Sequence, residues 1–236
     1  MLITRPQPQA SRFADAATER YGTRVRPVLS PLLAPSYFLP DLPKGPFGAV
    51  ILTSETGAQA AAAMLGRLPA RAYCVGERTA EVASGLGFSA QSADGNADDL
   101  LRLLLTRPEH APFLHMRGRE ARGDLAARLQ SAGVPAQEVI VYAQEPQPLS
   151  SEARGVLEAS GDVIAPLFSP RSAEVFRRAL ADVAEGADLW PRLCIAALSP
   201  AIASIFADCP ARQMIVATGP TQAELFSALD RFIFTA

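Results

Sequence analysis

Short apolar runs alternate with amphipathic helical stretches along nearly the whole chain. LITR (2–5) precedes a stretch in which Phe13, Ala14, Ala17 and Tyr21 recur at helical spacing. AVILTS (49–54) precedes the Ala-rich 57–65, AYCV (72–75) precedes 79–86, and PFLHM (112–116) precedes 120–132. In the second half DVIAPLF (162–168), RLCIAAL (192–198) and QMIVA (213–217) are each followed by the same 3.6-residue periodicity. Strands in strict alternation with helices predict a parallel sheet covered on both faces.

Two segments break the alternation. RVRPVLSPLLAP (24–35) and EVIVYAQEPQPL (138–149) are extended and interrupted by proline. Prolines at 27, 31 and 35 exclude a helix and disfavour a central strand position. Paired with one another, the two segments would bridge two lobes. The predicted fold class is therefore α/β, with two doubly wound parallel-sheet lobes joined by a two-stranded β linker. An outer lobe would comprise 1–30 and 147–236, an inserted lobe 36–140, and linker strands 24–35 and 138–149. The halves also resemble each other: AVILTSETGAQAAAAML matches VIAPLFSPRSAEVFRRAL in its strand, hydroxyl-bearing turn and helix. AYCVGERTAEVASGLG and CIAALSPAIASIFADC follow in the same order. Two facing lobes suit a large ligand.

Composition narrows the partners mainly by exclusion. An apolar share of 49% and a charged share of 19% indicate a globular chain. No apolar run approaches a membrane span, and MLITRPQ lacks the features of a signal peptide, so a cytoplasmic protein away from the membrane is expected. A net charge of −2 predicts no nucleic-acid partner. Cys74, Cys194 and Cys209 are scattered, with no CxxC, and His110 and His115 lie near none of them; neither a metal site nor a disulfide framework is expected. His115 reads as a strand residue. Lys44 is the only lysine, which fits either genome composition or selection for bidentate carboxylate recognition.

Chemistry concentrates at the turns. Thr53–Thr56, Gly76–Thr79, Arg117–Arg119, Ser169–Ser172, Ser199–Ala201 and Gly219–Thr221 all precede predicted helices. On a parallel sheet such turns collect at the carboxyl edge of the strands. Helix N-termini there offer unsatisfied N–H groups to anions, although plain capping needs the same residues. Arg5, Arg78, Arg117, Arg119, Arg122 and Arg171 lie in or beside turns, whereas Arg102, Arg128, Arg177 and Arg178 read as solvated helix positions.

Taken together, the ITRP start, Thr53–Ser54, VGERTA (75–80), LHMRGREARGDLAARLQSAG (114–133), Val141–Tyr142 and FSPRSAEVF (168–176) resemble the uroporphyrinogen-III synthase family across essentially the whole chain. The resemblance implies two α/β lobes on a two-stranded linker. It implies hydroxymethylbilane, a linear tetrapyrrole with eight carboxylates, as substrate. Loss of water, ring closure and inversion of ring D would proceed through an azafulvene and a spiro intermediate, with no cofactor or metal, in an enzyme expected to be a monomer. Tyr142 matches the family's linker tyrosine and becomes the expected proton donor to the departing hydroxide. Arg5, Ser54, Gly76, Arg78, Thr79, Arg117, Ser169 and Ser199 become the expected substrate-binding positions, with Ser54, Thr79 and Ser169 equally able to serve as N-caps.

The chain departs from the family pattern at LSPAIA, where Ser199 replaces a glycine and Ala201 and Ile202 replace hydroxyl residues, and at Glu55, where many members carry proline. The altered turn keeps open a second reading, a non-catalytic tetrapyrrole or carboxylate sensor on the same fold. A dinucleotide-dependent enzyme is disfavoured, because GERTAE carries one glycine where a GxGxxG would be needed.

Overall fold

A computed structural model describes residues 1–121, 123–184 and 189–234. The chain runs β1 (Leu2–Ile3), α1 (Gln9–Tyr21), β2 (Val28–Leu29), β3 (Leu33–Tyr37), β4 (Ala49–Leu52), α2 (Glu55–Ala62), β5 (Arg71–Cys74), α3 (Glu77–Gly85) and β6 (Ser89–Ser92). It continues through α4 (Ala97–Leu105), β7 (Phe113–Gly118), α5 (Leu125–Ser131), β8 (Ala136–Pro146), α6 (Ser151–Glu158) and β9 (Val163–Leu167). It closes with α7 (Pro170–Ala184), β10 (Leu193–Ala197), α8 (Pro200–Ala203), β11 (Gln213–Val216) and α9 (Gln222–Ile233). Two compact units result, one of Met1–Ala34 with Pro146–Ala236 and one of Pro35–Glu145.

In the Pro35–Glu145 unit the strand order is β3-β8-β7-β4-β5-β6, and the five strands from β8 to β6 are parallel. Strand pleating sends alternate residues to opposite faces, and the sequence obeys it. Val50, Leu52, Ala72, Cys74, Leu114 and Met116 join one core layer with the alanines of α2 and α3. Ala49, Ile51, Tyr73 and Phe113 join the other, with Leu100 and Leu104 of α4 and Leu125 and Leu129 of α5. The other unit repeats the device. Leu193, Ile195 and Ala197 of β10 meet α6 and α7, while Cys194 and Ala196 meet α1 and α9. Its strands β11, β10 and β9 are parallel, and β1, paired in parallel with β2, runs beside β9. The α/β reading of the sequence holds in both units.

The proline-broken segments do more than connect. Within 24–35, Val28 and Leu29 form a lobe strand opposite Leu2 and Ile3, held to two residues by Pro27 and Pro31. β3 then runs to Tyr37 as an edge strand, the position that tolerates Pro35. Bonds from Phe38 N–H to the Val141 carbonyl (2.8 Å) and from Gln147 N–H to the Leu32 carbonyl (2.9 Å) run in opposite senses, so β3 and β8 are antiparallel. β8 is also a full strand of the sheet, beginning with Ala136 opposite Phe113. The helix expected over 120–132 starts only at Leu125, because Gly123 has φ of 102°, a left-handed conformation no helix contains. The edge strand β6 has no apolar run to announce it.

Phe13 anchors the second unit's α1–α9 layer. It stacks on Phe226 at 4.9 Å with rings 11° apart and meets Phe168 edge-on at 4.9 Å. Phe13→Ala is expected to cost about 3–5 kcal/mol in the urea unfolding of this unit, whereas Leu86→Ala in the partly exposed turn after α3 should cost under about 1 kcal/mol.

Candidate functional site

The carboxyl ends of β4, β5, β7 and β8 open into a cavity of about 360 Å³ in the Pro35–Glu145 unit. Thr53, Ser54, Val75, His115, Asp124 and Tyr142 are among its walls. This is the edge at which parallel sheets place their ligands.

Tyr142 is aimed there by an irregularity in the sheet. Arg117 lies opposite Ile140, but Gly118 lies opposite Tyr142, so β8 carries one extra residue at this step. Such a bulge re-aims the side chain that follows it. Val139 and Val141 pack in the α2–α3 layer, and Tyr142 packs there too instead of alternating away. Gly118 leaves the room: a Cβ on it would sit 2.6 Å from Tyr142 Cζ and 2.9 Å from its hydroxyl. The Tyr142 hydroxyl is 3.0 Å from Ser54 Oγ, and Ser54 Oγ also accepts the Gly57 N–H at 2.9 Å as the cap of α2. Burial, assisted by the Glu120 carboxylate, raises the phenol above its ordinary pKa, while the Ser54 hydrogen bond acts the other way. The phenol therefore stays protonated at neutral pH.

His115 is the residue that sequence reasoning passed over. It lies in β7, only 5% exposed, with Nε2 3.3 Å from Thr53 Oγ1 and a buried Nδ1 that has no hydrogen-bond partner among the described residues. Burial pushes its pKa down to about 4, against the attraction of Glu138 and with the help of Arg117. The available signal was a lone polar residue inside the apolar run PFLHM, directly before a turn.

The other expected positions divide by what already holds them. Arg78 is ion-paired with Glu81 at 2.9 Å and Glu55 at 3.8 Å. Arg117 is ion-paired with Glu138 at 2.6 Å and donates to the Gly118 carbonyl. Arg119 lies 3.5 Å from Glu145 and over the Phe38 ring. Thr79 is buried on α3, and Ile202, its counterpart in the internal repeat, is buried in the core of the other unit. The two share an inward-facing helical position, so the missing hydroxyl at Ile202 removes no surface group. Gly76 stands at the N-cap of α3 in an extended conformation, where a Cβ would make only ordinary contact with the Gly95 carbonyl at 4.0 Å.

In the other unit, Arg5 follows β1, and its guanidinium stacks on the Phe168 ring at 3.8 Å. Burial and the nearby Arg12 lower its pKa, and among the described residues no carboxylate pairs with it. Ser169 Oγ accepts the Ser172 N–H at 3.2 Å and donates to Ser172 Oγ at 2.9 Å. Ser199 opens the four-residue α8 with no side-chain cap bond. The Gly219–Thr221 turn is filled from within, because the Glu224 carboxylate caps α9 in a box with Thr221. Asn96 and Asp99 do the same at α4. Arg122 lies outside the described residues. Among the described residues, no group of acidic, histidine or cysteine side chains is arranged to hold a metal ion, and no helix is long and apolar enough to cross a membrane.

The family model described as uroporphyrinogen-III synthase HemD matches residues 14–227. No curated protein sequence matches the chain. Among solved structures, uroporphyrinogen-III synthetase from Helicobacter pylori 26695 superposes with a TM-score of 0.62 at 18% identity, over 86% of this chain and 92% of that one. That likeness is one of fold. Uroporphyrinogen III synthase from Thermus thermophilus aligns over 98% of both chains at 16% identity, with a TM-score of 0.35.

The opposed environments of Tyr142 and His115 can be titrated directly. With ¹³C-labelled tyrosine, the Tyr142 phenol should ionise above the ordinary ~10; Ser54→Ala should raise it further and Glu120→Gln lower it. The lowered His115 pKa has a stability consequence with a definite sign. Between about 6.5 and about 4 the unfolded chain binds a proton at His115 that the native chain does not. Its contribution to stability is complete above about 6.5 and lost as pH falls through that window; His115→Leu should flatten this part of the stability–pH curve, read by urea unfolding.

Proposed function

Because the chain belongs to the uroporphyrinogen-III synthase family, whose model spans 14–227, we propose that the cavity beside Tyr142 seats the reacting end of hydroxymethylbilane. The enzyme closes that linear tetrapyrrole, with loss of water and inversion of ring D, to uroporphyrinogen III. About 360 Å³ is near the lower bound for ligand pockets, roughly 300–1,000 Å³. Such a space suits one end of the substrate rather than its whole length.

The single observation that carries the assignment is the Tyr142–Ser54 contact at 3.0 Å. It leaves a protonated phenol, fixed by a hydroxyl that is itself fixed by the Gly57 N–H, at the wall of a mostly apolar cavity. Departure of hydroxide from a pyrrolic carbinol needs a proton, and Tyr142 is placed to give it as general acid. The Ser54 hydroxyl is then free to donate to the phenolate oxygen. Spontaneous closure gives the uninverted ring, so the protein's larger task is to hold a flexible chain in one reactive conformation.

We assign that holding to Arg5, whose guanidinium is unclaimed by any described carboxylate, and to backbone N–H groups at the turns of Ser54, Gly76, Ser169 and Ser199. Arg78 and Arg117 are instead engaged by ion pairs, and Thr79 is buried on α3. The reading includes action as a cytoplasmic monomer. It includes no cofactor or metal.

The test supplies freshly made hydroxymethylbilane and measures the ratio of type III to type I product; type I alone, at the uncatalysed rate, would remove the assignment. Tyr142→Phe should lower turnover about 10²–10⁴-fold with unchanged thermal unfolding. Arg5→Ala should raise KM with kcat nearly intact, and Arg78→Ala should leave KM close to that of the unaltered enzyme.

A further inference from the structure

Over the whole reaction the substrate loses a hydroxide and also a proton, the latter from the unsubstituted pyrrole carbon of ring D at which the ring finally recloses. Tyr142 serves the first. The same cavity holds a group suited to the second. His115 stands in a row of residues in register across the sheet, Tyr73, Ile51, His115 and Glu138. Packing alone would favour an apolar residue there, as at Ile51 and Phe113 on the same face. Instead an imidazole occupies it, with Nδ1 buried and unpartnered among the described residues and Nε2 directed at Thr53 Oγ1, 3.3 Å away. Both residues line the cavity with Tyr142. A buried polar atom left unsatisfied costs stability and calls for a functional explanation.

We propose that Thr53 and His115 form the proton-accepting side of this cavity, with Thr53 Oγ1 taking the proton from the pyrrole carbon as its own proton passes to His115 Nε2. The inference rests on the placement of the reaction at Tyr142. The C–H electron pair returns to the pyrrole ring, which regains its aromaticity. In the earlier step that forms the azafulvene, the C–O bond breaks with its electrons on oxygen, which takes the Tyr142 proton and leaves as water. The imidazolium proton then returns to the Tyr142 phenolate through solvent, and the substrate has lost one water with no change in oxidation state. Thr53 is the catalytic contact, and His115 acts through it as the positioning residue.

A base held neutral by burial suits this step. The protonated pyrrole carbon is a far stronger acid than an imidazolium ion, so strength is not needed; an imidazole whose lone pair stays available is. Among the described residues, the charged and titratable groups around His115 are Glu138 and Tyr142 from β8, Arg117 from its own strand, Asp124 at the N-cap of α5 and Arg128 within α5. Glu138 is committed to Arg117, and Arg128 to Asp98 at 2.8 Å. Asp124 is the competing proton acceptor in the cavity wall.

Single-turnover and steady-state formation of type III product from hydroxymethylbilane tests the pair. His115→Gln keeps a group facing Thr53 but accepts no proton. It should lower kcat about a hundredfold while KM stays within about twofold. Thr53→Val should match it, and Thr53→Ser should restore most of the rate. The acid side of the kcat–pH profile should be lost in His115→Gln. Should that variant fail to show a native thermal transition, the Thr53→Val and Thr53→Ser pair decides alone. Near-normal kcat in His115→Gln and Thr53→Val, or a loss confined to Asp124→Asn, overturns the proposal. Tyr142→Phe in parallel separates the two levels. If the unaltered enzyme makes only type I product the functional assignment fails, whereas loss in Tyr142→Phe without loss in the Thr53 and His115 variants sinks only the proton-accepting pair.

Discussion

One extra residue on β8, opposite the step from Arg117 to Gly118, decides where the phenol of Tyr142 points. In a regular strand Tyr142 would share a face with Ile140, which is 38% exposed. The bulge instead sets it on the face of Val139 and Val141, against the α2–α3 layer. Three further features depend on that placement. Position 118 must be glycine, because any Cβ would enter the phenol ring. Ser54 must end β4 at the height where it both caps α2 and reaches the hydroxyl. The ring must be buried enough to hold its proton. A bulge costs a sheet some regularity, and it persists where it re-aims a functional side chain.

Burial then acts on two residues in opposite chemical senses by one mechanism. It disfavours whichever form is charged, so the phenol keeps its proton and the imidazole of His115 refuses one. The cavity accordingly holds a neutral donor and a neutral acceptor, which is how environments separate acid from base at one pH. Neutrality has a consequence for binding. A polycarboxylate gains little Coulomb attraction from Tyr142 or His115, and Arg117 beside them is already paired with Glu138. In the other unit Arg5, which pairs with no carboxylate among the described residues, lies over Phe168 at 3.8 Å, itself braced edge-on by Phe13.

Much of the fold was legible because each strand is an apolar run that must satisfy two helix layers at once. Val50 and Leu52 face one layer, Ala49 and Ile51 the other, and that pattern is local. The Thr53–Ser54 turn and Tyr142 were legible as well, through their spacing and their likeness to a family. What escaped was set by pairing between distant segments. Nothing near Tyr142 in sequence encodes the bulge, which arises from the register of β8 against β7. Arg78 looked available until Glu55 and Glu81 were seen to claim it. The Gly219–Thr221 turn looked open to an external anion until Glu224 filled it. Ser89–Ser92 pairs through its backbone with β5 and is covered by α3, so its side chains needed no apolar pattern.

The internal repeat sharpens what the two units have in common and where they part. Thr79 and Ile202 occupy equivalent helical positions, and both are buried. The repeat there preserves a packing role, so the change from hydroxyl to hydrocarbon says little about ligand binding. The two filled helix starts tell the same story. Asp99 at α4 and Glu224 at α9 each fold back over a glycine, Gly95 and Gly219, where a Cβ would collide with the carboxylate. In each unit, then, one helix N-terminus is neutralised by the protein's own acid and withdrawn from competition for substrate carboxylates. The turns left without such an internal carboxylate cap include those after β4, β5 and β10.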